Sequence, residues 1–457
     1  MATISEPTTS PKEILSKVEE DGIEFIRFWF TDIVGQLKSF AVGKEELEEA
    51  LEQGMGFDGS SITGFNAIEE SDMVAMPDPD TYTVLPWRDD GGSGKGNVAR
   101  LFCDVLRPGG EPYVGDPRFV MRRALARADE MGYDTFNLGP ELEYFYFGSD
   151  QVGEDGSPII LDKGGYFDLT TLDAASDLRR ETVNALKAVG IPVEYTHHEV
   201  GPSQHEIDMR FADGLEMADN TMTYRIAVKE VAMAHGYYAT FMPKPLFGEN
   251  GSGMHTHQSL FRGEENAFFD ADDEYYLSAA GKGFIAGLLH HATELSALFA
   301  PSVNSYKRLV PGYEAPVYVA WSRRNRSALV RVPLYHPGKE QATRAELRCP
   351  DPSCNPYLTF AALLHAGLDG IEKGYDLPEP MDRNLYDLTH DERVAAGVAQ
   401  LPETLGEAVE EMAKSELVNR ALGDHIFPRY IDLKREEWED YRVQVTGWEL
   451  ERYLAVT

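Results

Sequence analysis

A chain of 457 residues is long enough for two or three domains, and 42% hydrophobic with 11% aromatic residues is typical of a globular protein with a large core. Its 77 acidic against 42 basic residues give a formal net charge of −35, which disfavours nucleic acid and anionic membranes as general partners. Local arginine clusters can still bind an anionic substrate. Composition alone does not decide whether the charge reflects a saline habitat.

The three cysteines, Cys103, Cys349 and Cys354, form no C-x-x-C pair, so the sequence indicates neither a zinc knuckle nor a disulfide framework. We therefore expect reduced thiols in a cytoplasmic protein. The polar N-terminus lacks an apolar signal region, and no stretch reaches about 18 uninterrupted apolar residues. Neither secretion nor a membrane span is predicted.

The first hundred residues alternate strand and loop patterns, which predicts a small domain over 12–105 after a flexible tail, residues 1–11. Ser10 followed by Pro11 is typical of a helix start. In chain order the sequence then predicts two strands joined by a turn in 24–42, a helix in 44–54, a Gly/Ser-rich loop at 57–65 and a strand over 78–87.

Residues 91–96 have the sequence GGSGKG, which invites comparison with phosphate-binding loops. Such a loop needs Ser or Thr after the lysine and a helix that begins there, and here Gly96 follows the lysine. We therefore expect a mobile surface turn, so any nucleotide must be held by another device.

A second, larger domain is predicted for 106–457, after a Pro/Gly-rich linker. Its predicted elements are a helix from Asp116 and Pro117 to about Met131, a polar loop at 148–163, a helix over 174–189 and a mostly helical region from about 355 onward. The whole chain is therefore predicted to be a mixed α/β protein.

The stretch NLGPELEYFYF, residues 137–147, is typical of a β-strand because it alternates and is rich in Tyr and Phe. Positions i and i+2 of a strand point to one face, about 6.5–7 Å apart, so Glu141 and Glu143 would lie side by side. Two such carboxylates on an apolar strand repel each other unless cations lie between them. An exposed face with two solvated acids is the alternative.

Later segments carry more groups of the same kind. They are a predicted strand–turn–strand with His197, His198, Glu199, His205 and Glu206, a Gly-rich loop and strand with His255 and His257, a loop with Lys307, Arg308 and Glu314, and two stretches with Arg323, Arg324, Arg326, Arg331, Arg344, Glu346 and Arg348. A histidine in a strand is more often a hydrogen-bonded core residue, and an arginine run more often a solvated face. Jointly, however, several Glu suit Mg²⁺ or Mn²⁺ and guanidinium groups suit phosphates. We therefore predict a two-metal, ATP-using enzyme, provided that these segments meet in the fold.

The motifs FDGSSI, GPELEYF, KPLFGENGSGMH, NSYKRLVPGYEAP, RNRS and PDPSCNPY occur in the order found in bacterial-type (type I) glutamine synthetases. The chain resembles that family over nearly its whole length. The resemblance implies a small N-terminal β-grasp domain and a large C-terminal catalytic α/β-barrel domain, assembled as a dodecamer of two hexameric rings with active sites between subunits. The implied activity is ATP-dependent formation of glutamine from glutamate and ammonium through γ-glutamyl phosphate, with two Mg²⁺ or Mn²⁺ per site.

The resemblance also implies roles for residues of this chain. One metal would be held by Glu143, Glu199 and Glu206, and the other by Glu141, His255 and Glu346. Glutamate would contact Asn250, Gly251, Arg308 and Arg348, and ATP with its transferred phosphoryl would contact Phe211, His257, Ser259, Arg326, Arg331 and Arg344. Glu314 would shield the intermediate, and Asp58, Ser61, Asp72 and Tyr166 would lie on the ammonium side, with Asp58 supplied by the adjoining subunit.

Regulation and amine choice stay open in the sequence. The NLYDL motif matches the family's adenylylation site with Tyr386 as acceptor, but the insertion typical of adenylylated members is missing between Glu143 and Glu199. Members controlled by feedback or by a regulatory protein tend to carry Arg where this chain has Ala67, and an exposed loop tyrosine is the alternative for Tyr386. The alternative activity is a γ-glutamyl ligase for polyamines or ethanolamine. A non-catalytic relative is disfavoured because all six metal-ligand candidates are present.

Overall fold

A computed structural model describes residues 7–65, 71–88, 97–154 and 156–457. The GGSGKG stretch, Ala67 and the first six residues of the predicted tail lie outside the described residues. From that tail, the backbone N–H groups of Thr8 and Thr9 donate to the carboxylate of Asp80 at 2.8 and 2.7 Å. Among the described residues, no helix has both the length and the apolar character needed to cross a membrane.

The described residues form both strands and α-helices, which are numbered in chain order. The strands are β1 Ile23–Thr31, β2 Leu37–Gly43, β3 Met55–Asp58, β4 Asp72–Pro77, β5 Thr83–Val84, β6 Asn97–Leu106, β7 Thr135–Val152, β8 Pro158–Ile160, β9 Val193–His198, β10 Gln204–Met209, β11 Ala212–Asp213, β12 Tyr238–Thr240, β13 Met254–Arg262, β14 Glu265–Asn266, β15 Tyr318–Ser322, β16 Ala328–Arg331, β17 Ala345–Leu347 and β18 Ala399–Gln400. The helices are α1 Pro11–Glu20, α2 Leu47–Gln53, α3 Pro117–Glu130, α4 Ser176–Ala188, α5 Gly214–Ala234, α6 Ala279–Phe299, α7 Ser305–Arg308, α8 Pro356–Lys373, α9 His390–Ala395, α10 Leu405–Ala413, α11 Glu416–Arg442 and α12 Gly447–Tyr453.

The first six strands form one mixed sheet in the order β2-β1-β6-β4-β3, with β5 paired to β6. Strands β1 and β2 form the predicted hairpin, and in its turn the Asp32 carboxylate accepts from the backbone N–H groups of Val34 and Gln36. Helices α1 and α2 pack on this sheet, and their buried residues Ile14 and Leu47 belong to the core beneath it. The N-cap hydrogen bond of Ser10 confirms the predicted helix start.

The larger sheet has twelve strands, with the order β18-β15-β16-β17-β13-β7-β10-β9 along its main path. Its long strand β7 confirms the prediction for 137–147 and pairs with β10 and β13, antiparallel on both sides. Leu142, Tyr144 and Tyr146 are fully buried against the helical layer, where the Tyr224 hydroxyl of α5 donates to the Leu142 carbonyl at 3.2 Å. Alternation along β7 therefore directs Glu141 and Glu143 to the opposite face.

The prediction of a strand over 78–87 is wrong. Residues Pro79–Thr81 and Pro86–Arg88 are short 3₁₀ turns, and only β5 between them pairs with β6. Proline lacks the N–H that a strand ladder needs, so prolines at both turns limit the pairing to two residues. The predicted polar loop at 148–163 is likewise shorter, because β7 continues to Val152 and pairs with β8.

A buried arginine joins the small sheet to the helices of the larger unit. The Arg118 guanidinium, at the start of α3, donates to carboxylate oxygens of Asp78 at 2.7 Å, Asp104 at 2.9 Å and Asp219 at 2.9 Å. Asp78 and Asp104 belong to the N-terminal sheet region, whereas Asp219 lies on α5. A second link is made by the Asn355 side chain at the start of α8, which donates to the Asp32 carbonyl at 3.0 Å. The two sheets are thereby held in a fixed relation.

Helices α6 and α8 pack with their backbones in close contact at glycine positions. A Cβ atom on Gly287 would lie 2.1 Å from the Ala366 carbonyl oxygen, so the residue at 287 cannot carry a side chain without moving one helix. We expect Gly287→Ala to lower the free energy of unfolding by about 1–3 kcal/mol, measured as a lower urea midpoint. Gly447→Ala is the matched control, because its new Cβ meets no atom within 4 Å. Equal midpoints for the two variants would contradict this packing.

Candidate active site

Three neighbouring strands carry acidic or imidazole side chains at directly paired positions. Between β10 and β7, Glu206 is opposite Glu143 and Asp208 is opposite Glu141. On the other side of β7, His255 of β13 is opposite Glu141. Directly paired residues have Cβ atoms about 4.5–5.5 Å apart, so the antiparallel register alone gathers these five side chains on one face.

Further side chains on this face come from the strands on either side of these three. On β9, His197 is opposite Glu206. On β17, Glu346 is opposite His257 of β13, and on β16 Arg331 is opposite Glu346. Segments far apart in sequence therefore meet on one sheet face.

Two groups of potential metal-ligand atoms result. Glu141, His255 and Glu346 offer one atom each within 4.8 Å of one another, and this is the set that the sequence predicts for one metal. A second group with the same spacing consists of His197, Glu199 and Glu206.

Glu143, predicted with Glu199 and Glu206, lies between the two groups. One of its oxygens is 4.0 Å from His255 Nε2. The other accepts from Gln204 Nε2 at 2.8 Å and from the Gly253 N–H at 3.0 Å. These two donors fix the orientation of the carboxylate.

The electrostatics of the two groups differ. Burial, together with the carboxylates of Asp208 and Glu143, raises the pKa of Glu206 well above its ordinary value. Burial and Glu199 raise the pKa of Glu143 to about 8. In contrast, although burial opposes it, nearby histidine and arginine side chains hold the pKa of Glu346 down to about 2. The acids around Glu206 therefore lack enough positive charge from the protein.

This donor set fits a hard divalent cation. Each group offers two carboxylates and one imidazole, which suits Mg²⁺ or Mn²⁺. Neither group contains a cysteine, so a zinc site with sulfur ligands is not formed by these residues. A cation would neutralise the buried carboxylates that repel each other. The second group contains His197 as well as predicted acids. The sequence did not identify His197 as a metal ligand, because a histidine in a strand is more often a core residue.

A small cavity of about 150 Å³ lies over both groups. Among the predicted residues, those that line it are Glu141, Glu143, Glu199, Glu206, His255, Glu346, Asn250, Gly251, Arg308, Arg348, Tyr166, Glu314, Arg326 and Arg331. Backbone carbonyl groups fix the positions of two of these residues, Arg308 and Gly251. The Arg308 guanidinium donates to the carbonyls of Cys349 and Pro350 at 2.7 and 3.2 Å, and a Cβ on Gly251 would lie 2.3 Å from the Pro243 carbonyl oxygen.

A larger cavity of about 430 Å³ adjoins the small one, and both are lined by Glu141 and Tyr195. The predicted ATP contacts Phe211, His257, Ser259 and Arg344 line this larger cavity. Its volume falls in the range of pockets for small-molecule ligands. The larger cavity therefore offers a nucleotide-sized space that ends at the ligand groups.

The cavities also contain residues that the sequence analysis missed. Tyr195 and Asp208 line the larger cavity, and Gln204 lines the smaller one. Each lies two positions from His197 or Glu206 along the same strand. Strand alternation could have identified all three, since i and i+2 share a face.

Three predicted residues do not reach these cavities in their own chain. Asp58, Ser61 and Asp72 are exposed in the N-terminal sheet region, and none lines either cavity. Asp58 and Asp72 are directly opposite each other on β3 and β4. The Ser60 hydroxyl and N–H, at 2.7 and 2.8 Å, lower the pKa of Asp58.

Two of the histidines near the site have structural partners instead. His198 contacts the Asp162 carboxylate through Nε2 at 2.9 Å and the Glu199 carbonyl through Nδ1 at 2.7 Å. His205 Nδ1 is 2.9 Å from an Arg179 nitrogen. Both rings are fully buried, as expected for core histidines.

Both domain families of one enzyme match this chain. The family described as "Glutamine synthetase, beta-Grasp domain" matches residues 22–108, and "Glutamine synthetase, catalytic domain" matches residues 114–453. The chain belongs to the glutamine synthetase family. It is 50% identical over 450 residues to the glutamine synthetase of Methanosarcina mazei, covering 98% of each chain. It is 52% identical over 444 residues to that of Mycobacterium tuberculosis, covering 97% of this chain and 98% of the relative.

Solved structures of this family have the same fold. The chain resembles a Plasmodium falciparum glutamine synthetase with a TM-score of 0.86 at 25% identity, covering 99% of this chain and 100% of the other. It resembles an ADP complex of GmaS with a TM-score of 0.86 at 33% identity, covering 97% and 99%. The predicted family and the predicted β-grasp and catalytic domains are confirmed, so the chain is a ligase of the glutamine synthetase family.

We expect Glu206→Gln to act in opposite directions on stability and on metal binding. Because burial raises the pKa of Glu206, its ionisation destabilises the metal-free fold at neutral pH, and Gln cannot ionise. The metal-free variant should therefore unfold at a higher temperature than the native protein, while titration calorimetry should show one Mn²⁺ site lost or weakened at least about tenfold. Glu451→Gln, at an exposed position of α12, is the control for both measurements. A destabilised variant with unchanged Mn²⁺ binding would contradict the assignment.

Proposed function

We propose that this chain forms glutamine from glutamate and ammonium, with ATP converted to ADP and phosphate, through a γ-glutamyl phosphate intermediate. The observation that carries the proposal is the meeting of two ligand groups at the junction of a nucleotide-sized cavity and a small, arginine-lined one. Glutamine synthetases that are 50% and 52% identical to this chain support the same reaction.

ATP would occupy the larger cavity. Phe211, His257 and Ser259 would contact the nucleoside, and the phosphates would extend toward Glu141, where the cavities join. Arg344 is held in this region by its Nε, 3.1 Å from His257 Nδ1. Its guanidinium is thereby positioned for phosphate oxygens.

The two ligand groups would hold one divalent cation each, Mg²⁺ or Mn²⁺. Glu141, His255 and Glu346 would hold one, and Glu143, Glu199 and Glu206, with His197 beside them, would hold the other. When bound, the cations would neutralise negative charge on the phosphates of ATP.

Glutamate would bind in the small cavity, with Asn250, Gly251, Arg308 and Arg348 as its contacts. An oxygen of its γ-carboxylate attacks the γ-phosphorus of ATP, and the new O–P bond forms as the bond to the ADP oxygen breaks. Arg326 and Arg331 line the same cavity and would stabilise the negative charge on the transferred phosphoryl. The products of this step are γ-glutamyl phosphate and ADP.

Ammonium would bind beside the acyl phosphate, on the side of Tyr166 and Glu314. Asp58 from an adjoining subunit, with Ser61 and Asp72 near it, would take a proton from ammonium. Ammonia then attacks the acyl carbon, the bond from that carbon to the phosphate oxygen breaks, and the departing phosphate takes the proton that the new amide nitrogen releases. Glu314 would exclude water from the acyl phosphate until this attack is complete.

A ring assembly is part of the proposal. A shared active site would give Asp58 a position that its own chain does not offer. The C-terminal segment supplies a second argument, because it exposes several large apolar side chains that an assembly would cover: Val443, Val445, Trp448, Leu450, Tyr453, Leu454 and Val456. We propose a dodecamer of two hexameric rings with active sites between neighbouring subunits.

The direct test measures ADP release with glutamate, Mg²⁺ or Mn²⁺, and either ammonium or larger amines. Because the small cavity holds only about 150 Å³, we expect ammonium to be used at least about tenfold more efficiently than polyamines or ethanolamine, by kcat/KM. Omitting glutamate should abolish ADP release. Faster turnover with a larger amine would identify the chain as a γ-glutamyl-amine ligase instead.

Asp58→Ala should lower the rate of amide synthesis more than it weakens ATP binding, measured by paired kinetic and binding assays.

Subunit mixing shows which chain supplies Asp58. If the neighbouring subunit supplies it, co-expression of Asp58→Ala with Arg331→Ala subunits, each with little activity alone, should give assemblies in which about a quarter of the sites are active. Activity is measured on mixed assemblies purified through two affinity tags. The control pair is Arg331→Ala with Glu346→Ala. Both residues line the cavity of their own chain, so every site in the mixed assembly carries one substitution and activity should not be recovered. Failure of the first pair to recover activity would contradict a shared site.

A further inference from the structure

Residues 381–387 form a strap that runs behind the loop carrying Arg326. The Asn325 side chain donates to the Met381 carbonyl at 3.1 Å, and the Ser322 hydroxyl donates to Asp382 at 3.0 Å. The Leu385 N–H donates to the Ser327 hydroxyl oxygen at 3.0 Å. These three hydrogen bonds, two from residues before Arg326 and one to the residue after it, join its loop to the strap.

The strap reaches a second cleft loop through one side chain. The Tyr386 hydroxyl donates to the Ala315 carbonyl at 2.7 Å, and Ala315 directly follows Glu314. Tyr386 is half-buried, with its ring 6.0 Å from that of Tyr318, and burial raises its pKa to about 12. The hydroxyl is therefore engaged within the protein, unlike that of an exposed loop tyrosine.

Glu314 needs external support for its backbone conformation. Its φ of 59° lies in the left-handed region, which L-residues other than glycine, Asn and Asp seldom adopt. Such a conformation persists only where the surroundings hold it. The hydrogen bond at Ala315 and the burial of that residue, at 2% exposure, provide such a hold.

We propose that Tyr386 is a positioning residue, which holds the Glu314 loop over the small cavity and so limits the loss of acyl phosphate to water. The proposal rests on the proposed function, in which Glu314 shields the intermediate. A single net hydrogen bond shifts an equilibrium between held and released loop by about fivefold. Any group attached to the Tyr386 oxygen would remove the donated proton and would release the loop in the same way.

The first test is independent of activity and follows hydrogen exchange by mass spectrometry in the full assembly, at the amides of Gly312, Tyr313, Glu314, Ala315 and Val317. Tyr386→Phe keeps the ring and removes the donor, so we expect exchange there to become about fivefold faster. Tyr318→Phe is the matched control, because its ring lies beside that of Tyr386, whereas the hydroxyl that donates to Ala315 belongs to Tyr386. Unchanged exchange in Tyr386→Phe would overturn the tether.

The second test measures ADP released per glutamine formed at saturating ammonium. We expect Tyr386→Phe to raise this ratio severalfold, because water converts more of the intermediate to glutamate and phosphate, while the Kd for ATP stays within about twofold. Tyr318→Phe should match the native enzyme, and adding Tyr386→Phe to Glu314→Ala should change the ratio no further. Faster exchange with an unchanged ratio would overturn the positioning role. A native enzyme that forms no glutamine would instead overturn the proposed function and leave the exchange test of the tether valid.

Discussion

Mutual repulsion among buried carboxylates is the constraint on which the rest of this structure depends. Glu141, Glu143, Glu206 and Asp208 share one face of two adjacent strands, at paired positions. A slip of one residue in either strand would turn the two carboxylates of that strand to the apolar side of the sheet. The fully buried tyrosines on the other face of β7 therefore do more than fill the core, since they make any alternative register unfavourable.

The positive charge that offsets this repulsion is distributed unevenly between the two ligand groups. Around Glu346, arginine side chains supply positive charge, with Arg348 Nη1 2.5 Å from a Glu346 oxygen. Around Glu206, the nearest neutral donors orient the acids without cancelling their charge, as Gln204 does for Glu143. The two ends of the cleft thus differ in character. One is already suited to anionic phosphates, and the other depends on a cation for its stability.

Much of the fold could be predicted because local patterns determine it. Alternation identified β7, and the Ser10 and Asp116 caps marked two helix starts. The prediction of a strand over 78–87 is wrong because prolines at both ends of β5 limit its pairing with β6 to two residues. Which chemistry the chain performs followed from the kinds of residues in the motifs and from the family they resemble.

The site itself was predicted as a set of segments and not as a geometry. Pairing register depends on contacts between strands distant in sequence, so no local pattern indicates that His255 would lie beside Glu141. The hydrogen bond from Tyr386 to Ala315 is equally non-local. The place of Asp58 could not be predicted from local patterns either, and in its own chain it is exposed and lines neither cavity.

The junction at Arg118 has a consequence for motion during turnover. Rotation of the small sheet away from α3 would separate the carboxylates of Asp78 and Asp104 from the buried Arg118 guanidinium, which is strongly unfavourable. The small domain therefore cannot act as a hinged lid. Any motion at the cleft must be confined to its short loops, such as the one that carries Glu314, while the two sheets move as one body.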